Sequence, residues 1–235
     1  MHFSTIEYET AYVWEKGRRA TNEDSIALMD LYSGRTHLIF AALADGIGGL
    51  SHGEYASSLV TKRLKDSFED LSRRDLSHTA NVRRLFYRSF LRVLYSCHNE
   101  LIRLSEYKDT ALGTTLSLIC IADDRGFSIN IGDSRLYQIS SGHVNLLSID
   151  DTDKRGRLTR CIGRGTYGRK HFSEIRIHSG DTFILCSDGF YRLGESEFTG
   201  LSHPLADSLI NICSHNLSKG ERDNLSAIAI RAHKD

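Results

Sequence analysis

The chain has 235 residues, long enough to bury a sizeable core, and its 30 Lys plus Arg equal its 30 Asp plus Glu, so no global field points to nucleic acid or an anionic membrane surface. No run approaches the ~18 apolar residues of a membrane span, and the first residues, Met1 to Glu7, lack the basic stretch and apolar core of a secretory leader. Five cysteines (Cys97, Cys120, Cys161, Cys186, Cys213) are widely spaced and form no Cys-x-x-Cys, which reads as reduced, mostly buried thiols of a cytoplasmic protein rather than a disulfide or zinc framework.

In chain order, a strand is expected around Ala11–Trp14, a turn at Lys16-Gly17, and then a polar, acidic loop, Arg18 to Asp24, feeding the alternating strand Ser25–Met29. The apolar run Leu38–Leu43 reads as a buried strand that delivers Ala44-Asp45-Gly46-Ile47-Gly48-Gly49. Apolar residues at helical spacing follow over Gly53–Leu71 and Leu76–Tyr107, predicting an antiparallel helix pair. Arg83, Arg84, Arg88, Arg92 and Arg103 fall on the outer face of the second helix, where an ordinary amphipathic helix carries its charge. After Gly113 the period shortens to that of strands: Thr114–Ile121, Gly126–Ile131, Ser134–Ile139 and Val144–Leu147. Their short turns demand an antiparallel meander and disfavour a doubly wound parallel sheet. A polar stretch, Asp150–Arg157, precedes strands at Glu174–His178 and Asp181–Cys186, a short helix over Leu205–Cys213 and a last strand, Ser226–Ala232. No repeat or linker divides the chain, so residues 1–235 read as one domain.

Four carboxylates recur at strand termini. Asp45 follows one apolar run, Asp188 ends Cys186-Ser187-Asp188-Gly189, Asp223 precedes the last strand, and Asp133 lies between two strands in Gly132-Asp133-Ser134-Arg135. Unpaired carboxylates are costly to bury, and an all-oxygen cluster suits Mg²⁺ or Mn²⁺ rather than zinc.

Seven pieces occur in order: Arg19-x-x-Asn22-Glu23-Asp24, Asp45-Gly46-x-Gly48-Gly49, Gly53-Glu54-x-Ala56-Ser57, Gly113-Thr114-Thr115-Leu116, Gly132-Asp133-Ser134-Arg135, Ser187-Asp188-Gly189 and Asp223-Asn224. Together they resemble the type 2C metal-dependent serine/threonine protein phosphatases, in a bacterial-like, short-flap form. The resemblance implies an α+β, four-layer α-β-β-α sandwich: two antiparallel sheets face to face, flanked by helix pairs. It also implies two Mn²⁺ or Mg²⁺ ions bridged by Asp45. Glu23 and the carbonyl of Gly46 would complete the ligands of one ion, and Asp188 and Asp223 would hold the other. Asp24 would orient bound water and Arg19 would bind the phosphate. A hydroxide shared by the two metals would then attack phosphoserine or phosphothreonine in line, without a phosphoenzyme. The implied partner is a phosphorylated protein, with a serine/threonine kinase in opposition, and neither nucleic acid nor membrane.

Three features depart from that pattern. Ile47 stands where many eukaryotic members have a histidine suited to protonating the leaving group. The segment between Leu147 and Leu158 is shorter than the usual flap. Arg192 occupies the place of an aspartate, four residues after Asp188, that helps some members hold a third ion beside Asp133. A third ion is therefore expected to bind weakly or not at all. Lys154, Arg155, Arg157, Arg160, Arg164, Arg169 and Lys170 form a basic cluster around the short flap that would favour acidic phosphopeptides. Two alternatives share the fold: a catalytically weak or inactive module that holds phosphorylated partners, and a hydrolase of small phosphoesters. Gly163-x-Gly165-x-x-Gly168 imitates a dinucleotide loop, but it leads into an expected strand instead of opening a helix.

Overall fold

The computed structural model describes residues 6–47, 52–74, 76, 81–165, 168 and 170–234. Met1 to Thr5, Gly48, Gly49, Thr166, Tyr167 and Arg169 lie outside them.

Eleven strands and four α-helices are seen among the described residues: β1 (Ile6–Glu15), β2 (Asp24–Ser33), β3 (Thr36–Ile47), α1 (Gly53–Ser72), α2 (Val82–Lys108), β4 (Gly113–Thr114), β5 (Leu116–Ala122), β6 (Arg125–Ile131), β7 (Arg135–Ser140), β8 (His143–Leu146), β9 (His171–Arg176), β10 (Thr182–Cys186), α3 (Asp188–Gly194), α4 (Leu205–Ser218) and β11 (Leu225–Lys234). One sheet runs β1-β11-β10-β7-β8 and the other β2-β3-β5-β6-β9, with β4 paired to β3. Every strand pairing in both sheets is antiparallel.

β3 explains why its run is apolar without alternation. Leu38, Phe40 and Ala42 pack with Val60, Leu64 and Phe68 of α1 and Phe86, Phe90 and Leu94 of α2. Ile39, Ala41 and Leu43 point the other way, against Phe183 and Leu185 of β10 and Ile228 and Ile230 of β11. A strand covered on both faces must be apolar on both. β11 repeats the logic, turning Leu225, Ala227 and Ala229 onto Phe190 of α3 and Leu209 and Ile212 of α4. Three apolar layers between four layers of secondary structure make the expected α-β-β-α sandwich.

Several elements differ from the sequence reading: β9 lies at His171–Arg176 rather than Glu174–His178, and the expected strand Thr114–Ile121 is divided into β4 and β5. The second helix begins at Val82 rather than Leu76, with Asn81 Oδ1 accepting from the Arg84 N–H at 3.0 Å as its N-cap. Leu76 is buried beside it in the core. The short helix α3, starting at Asp188 itself, has no counterpart in the periodicity, because seven residues, two of them glycine, are too few to show one.

Candidate active site

The antiparallel register brings the carboxylates together. Asp24, first in β2, lies opposite Asp45 in β3. On the facing sheet β10 runs out, and β11 begins, at the same end of the sandwich, so Asp188 and Asp223 arrive from consecutive crossings of that end.

Small polar groups seat Asp45, Asp24 and the backbone of Glu23. The Asp45 N–H donates to Thr115 Oγ1 at 2.9 Å, and its carbonyl accepts from the Thr115 N–H and from Thr114 Oγ1, both at 2.9 Å. Thr115 Oγ1 in turn meets Ser134 Oγ at 2.6 Å, so two of the seven motifs serve to hold Asp45. Ser134 is buried, with its hydroxyl spent in this way. Ser187 Oγ donates to Asp24 Oδ2 at 2.8 Å. Asn224 binds the β1–β2 loop three times: Oδ1 accepts from the Glu23 N–H, and Nδ2 donates to the carbonyls of Lys16 and Thr21.

Glycine is required where backbones and ligand atoms converge. A Cβ on Gly53 would stand 2.8 Å from the Glu23 carboxylate and 3.0 Å from the Gly46 carbonyl, so those two oxygen donors border one small space. A Cβ on Gly46 would meet the Gly53 carbonyl at 2.2 Å. One on Gly189 would meet the Asn224 carbonyl at 2.3 Å, which is why a glycine must follow Asp188.

The electrostatics are those of crowded like charge. Burial raises the Asp45 carboxyl well above the usual range, and Asp24, Asp188, Asp133 and Asp223 add to it. Burial also lifts Asp24, with Asp188 and Asp223 contributing. Asp188 is pushed up to about 6 by burial, against the opposing effect of Arg192. Burial and the neighbouring Glu54 raise Glu23, and burial raises Asp133.

Two arginines are spent on the cluster. Arg19 Nη2 lies 2.9 Å from Asp223 Oδ2, and Arg192 Nη2 is hydrogen-bonded to Asp188 Oδ2. Arg192 thus pairs with Asp188 and lies 3.9 Å from Glu221. With these contacts in place, no three acidic, histidine or cysteine side chains among the described residues close around one point. The donor set nevertheless suits hard cations: it is all oxygen, Asp45 has no basic partner among the described residues, and the buried Asp24 Oδ1 has no hydrogen bond.

Supporting residues that periodicity did not single out surround the site. Asp151, which reads as part of a polar loop, is buried, and it accepts from the Gly132 N–H at 3.0 Å and meets His171 Nε2 at 3.1 Å and Arg160 at 3.3 Å. It pins the Gly132-Asp133 turn to the short flap. Within the flap, Asp153 takes Arg157 at 2.7 Å, so part of the basic cluster expected to attract substrate is neutralised internally.

A sandwich of this topology with an oxygen-ligand carboxylate cluster at one end defines a metal-dependent phosphatase class. The family model for protein phosphatase 2C matches residues 16–228, and the chain belongs to that family of hydrolases. It is 25% identical to the protein phosphatase PhpP of Streptococcus pneumoniae, over 93% of this chain and 94% of that one. It is 30% identical to the serine/threonine protein phosphatase PstP of Mycobacterium tuberculosis, over 82% of this chain and 36% of that protein. Among solved structures, the catalytic domain of PstP in complex with two manganese ions superposes with a TM-score of 0.75 at 26% identity, covering 97% of this chain and all of that one. PppA of Pseudomonas aeruginosa shares the fold, with a TM-score of 0.80 and coverage of 97% and 99%.

Proposed function

We propose that residues 1–235 act as one phosphatase domain that hydrolyses phosphoserine and phosphothreonine in proteins, opposing a serine/threonine kinase in the cytoplasm. The observation that carries this reading is the convergence of Glu23, Asp24, Asp45, Asp188 and Asp223 at one end of the sandwich, with Arg19 beside them. The names of PhpP and PstP support the substrate class.

Glu23 and the Gly46 carbonyl would hold one divalent ion, Asp188 and Asp223 the other, and Asp45 would serve both. When bound, two Mn²⁺ or Mg²⁺ ions neutralise these carboxylates and acidify water for attack on phosphorus. Arg19, more than half exposed on its loop beside Asp223, would stabilise charge on the phosphoryl oxygens. Asp24, held by Ser187, would orient the attacking water. Arg192 already occupies Asp188, so a third ion at Asp133 binds weakly or not at all.

The test is phosphate release from a phosphothreonine peptide with Mn²⁺ added. Asp45→Asn should lower kcat by at least roughly 10²- to 10³-fold while the protein stays folded, the scale of removing one preorganised electrostatic group. Undiminished turnover in Asp45→Asn, or in excess chelator, would overturn the reading. Faster turnover of a small aryl phosphate than of any phosphopeptide would favour the small-phosphoester alternative.

A further inference from the structure

The β1–β2 loop and the α4–β11 loop are held against each other next to the carboxylate cluster. The Arg18 N–H donates to the Arg222 carbonyl at 3.2 Å, and Asn224 fastens the same two loops. A Cβ on Gly17, which sits at φ +63°, would stand 2.0 Å from the Asp223 carbonyl, so only glycine permits this approach. Between them opens a cavity of about 470 Å³ lined by Arg18, Arg19, Glu221, Arg222 and Asp223.

The charges lining this cavity are unequally committed. Asp223 is taken by Arg19. Glu221, whose side chain is 10% exposed, accepts from the Arg222 N–H at 2.7 Å and the Asp223 N–H at 3.0 Å and faces Arg192. Arg18 and Arg222 are exposed and form no ion pair among the described residues. Two rigidly seated loops thus present two uncommitted guanidinium groups at the edge of the cavity that contains Arg19 and Asp223.

We propose that Arg18 and Arg222 form a subsite for a second anionic group on the substrate, one to three residues from the phosphorylated side chain. A carboxylate or a second phosphate supplies the same chemistry, since the planar guanidinium matches both. This assignment rests on the phosphatase reading above and adds a sequence preference to it. It places this preference on the β1–β2 and α4–β11 loops, in addition to the flap, where Arg157 and Arg160 are bound to Asp153 and Asp151.

The experiment uses phosphothreonine peptides that differ only in flanking residues: alanine, glutamate or phosphoserine. Each is assayed for kcat/KM and, without turnover, for binding by fluorescence anisotropy, at low and high salt. With wild-type protein at low salt, glutamate should improve kcat/KM about fivefold through KM, the size of one exposed ion pair, and phosphoserine at least as much. High salt should erode the gain. The Arg18→Gln/Arg222→Gln variant should lose the gain yet turn over the alanine peptide at the wild-type rate, and Arg18→Lys/Arg222→Lys should keep most of it. A gain from phosphoserine alone would define the subsite as one for phosphate. Equal kcat/KM and binding for all three peptides, or a gain that persists in the glutamine variant, would overturn the proposal. If the alanine peptide is not hydrolysed at all, the phosphatase reading fails, and the anisotropy comparison still decides this one.

Discussion

At Asp24 a carboxylate from one motif depends on a serine from another, Ser187 of Ser187-Asp188-Gly189. Ser187 is fully buried, donates to Asp24 and accepts from the Ser226 N–H at 3.1 Å, bridging the ends of β2, β10 and β11. Ser187→Ala strands a buried carboxylate oxygen and a buried N–H. It should cost about 1–3 kcal/mol in urea denaturation, with a larger proportional loss in kcat than in KM. A neutral effect on both would show that the hydroxyl only fills space. Arg192 is the second residue whose placement decides behaviour, because a permanent cation is joined to Asp188 and lies near Glu221. Arg192→Asp removes that cation and adds a carboxylate, so calorimetric Mn²⁺ titration should find one more ion bound per chain than in the wild type. Equal stoichiometry in the two proteins would show that Arg192 does not limit binding there.

Elements carry the site through their ends. Helix α1 starts at Gly53 with its first N–H directed at the Glu23 carboxylate, while its N-cap residue, His52, gives no side-chain bond. Gly53→Ala improves helix propensity yet sets a methyl group 2.8 Å from that carboxylate. Weaker Mn²⁺ binding in calorimetry with little change in thermal stability is the expected outcome. Helix α4 shows the same economy far from the site. Pro204 offers no cap, and Glu9 of β1 accepts from the Leu205 N–H at 2.7 Å instead. Burial would raise the Glu9 carboxyl, but the Leu205 N–H, His203 and Arg231 more than offset it and hold it below its ordinary value. Because its folded pKa is lowered, Glu9 contributes stability above the unfolded carboxylate range, and the contribution fades as pH falls through its folded pKa. Glu9→Gln should therefore cost about 1 kcal/mol at pH 7 and progressively less below roughly pH 4, as urea melts across that range will show.

At the scale of the molecule the site lies across the seam between two sheets. Asp24 and Asp45 belong to one sheet and Asp188 and Asp223 flank strands of the other, so the spacing of the acids depends on the apolar layer between them. Phe183 is a fully buried large side chain in that layer, two strand positions before Leu185 and five residues from Asp188. Phe183→Ala should lower stability by about 3–5 kcal/mol in calorimetric or denaturant unfolding. Mn²⁺ affinity should fall as well, because a layer that collapses into the cavity shifts one sheet against the other. Unchanged affinity in a destabilised but folded variant would show that the strand ends hold their positions independently. No described helix is long and apolar enough to cross a membrane, in keeping with the even charge balance of the chain.

Asp45 and Asp188 were legible as acids at strand ends because an apolar run leads into each Asp-Gly, and the other acids were read from their motifs. The same reasoning located the helix pair, whose residues Ala56, Val60, Leu64 and Phe68 repeat at the helical period over several turns. What sequence could not supply was pairing across distance. Thr115, Ser134, Asp151, Ser187 and Asn224 are small or polar residues near turns, a pattern that solvent-exposed loops share, and only tertiary packing buries them against the acids they hold. Arg192 shows the limit most clearly. Its spacing from Asp188 becomes a contact only because a seven-residue helix forms there, and that helix is stabilised from outside, by Asn216 of α4 donating to the Phe190 carbonyl at 2.7 Å. A short helix has too few internal hydrogen bonds to fix itself, so its existence, and with it the placement of a cation on Asp188, was decided by the fold.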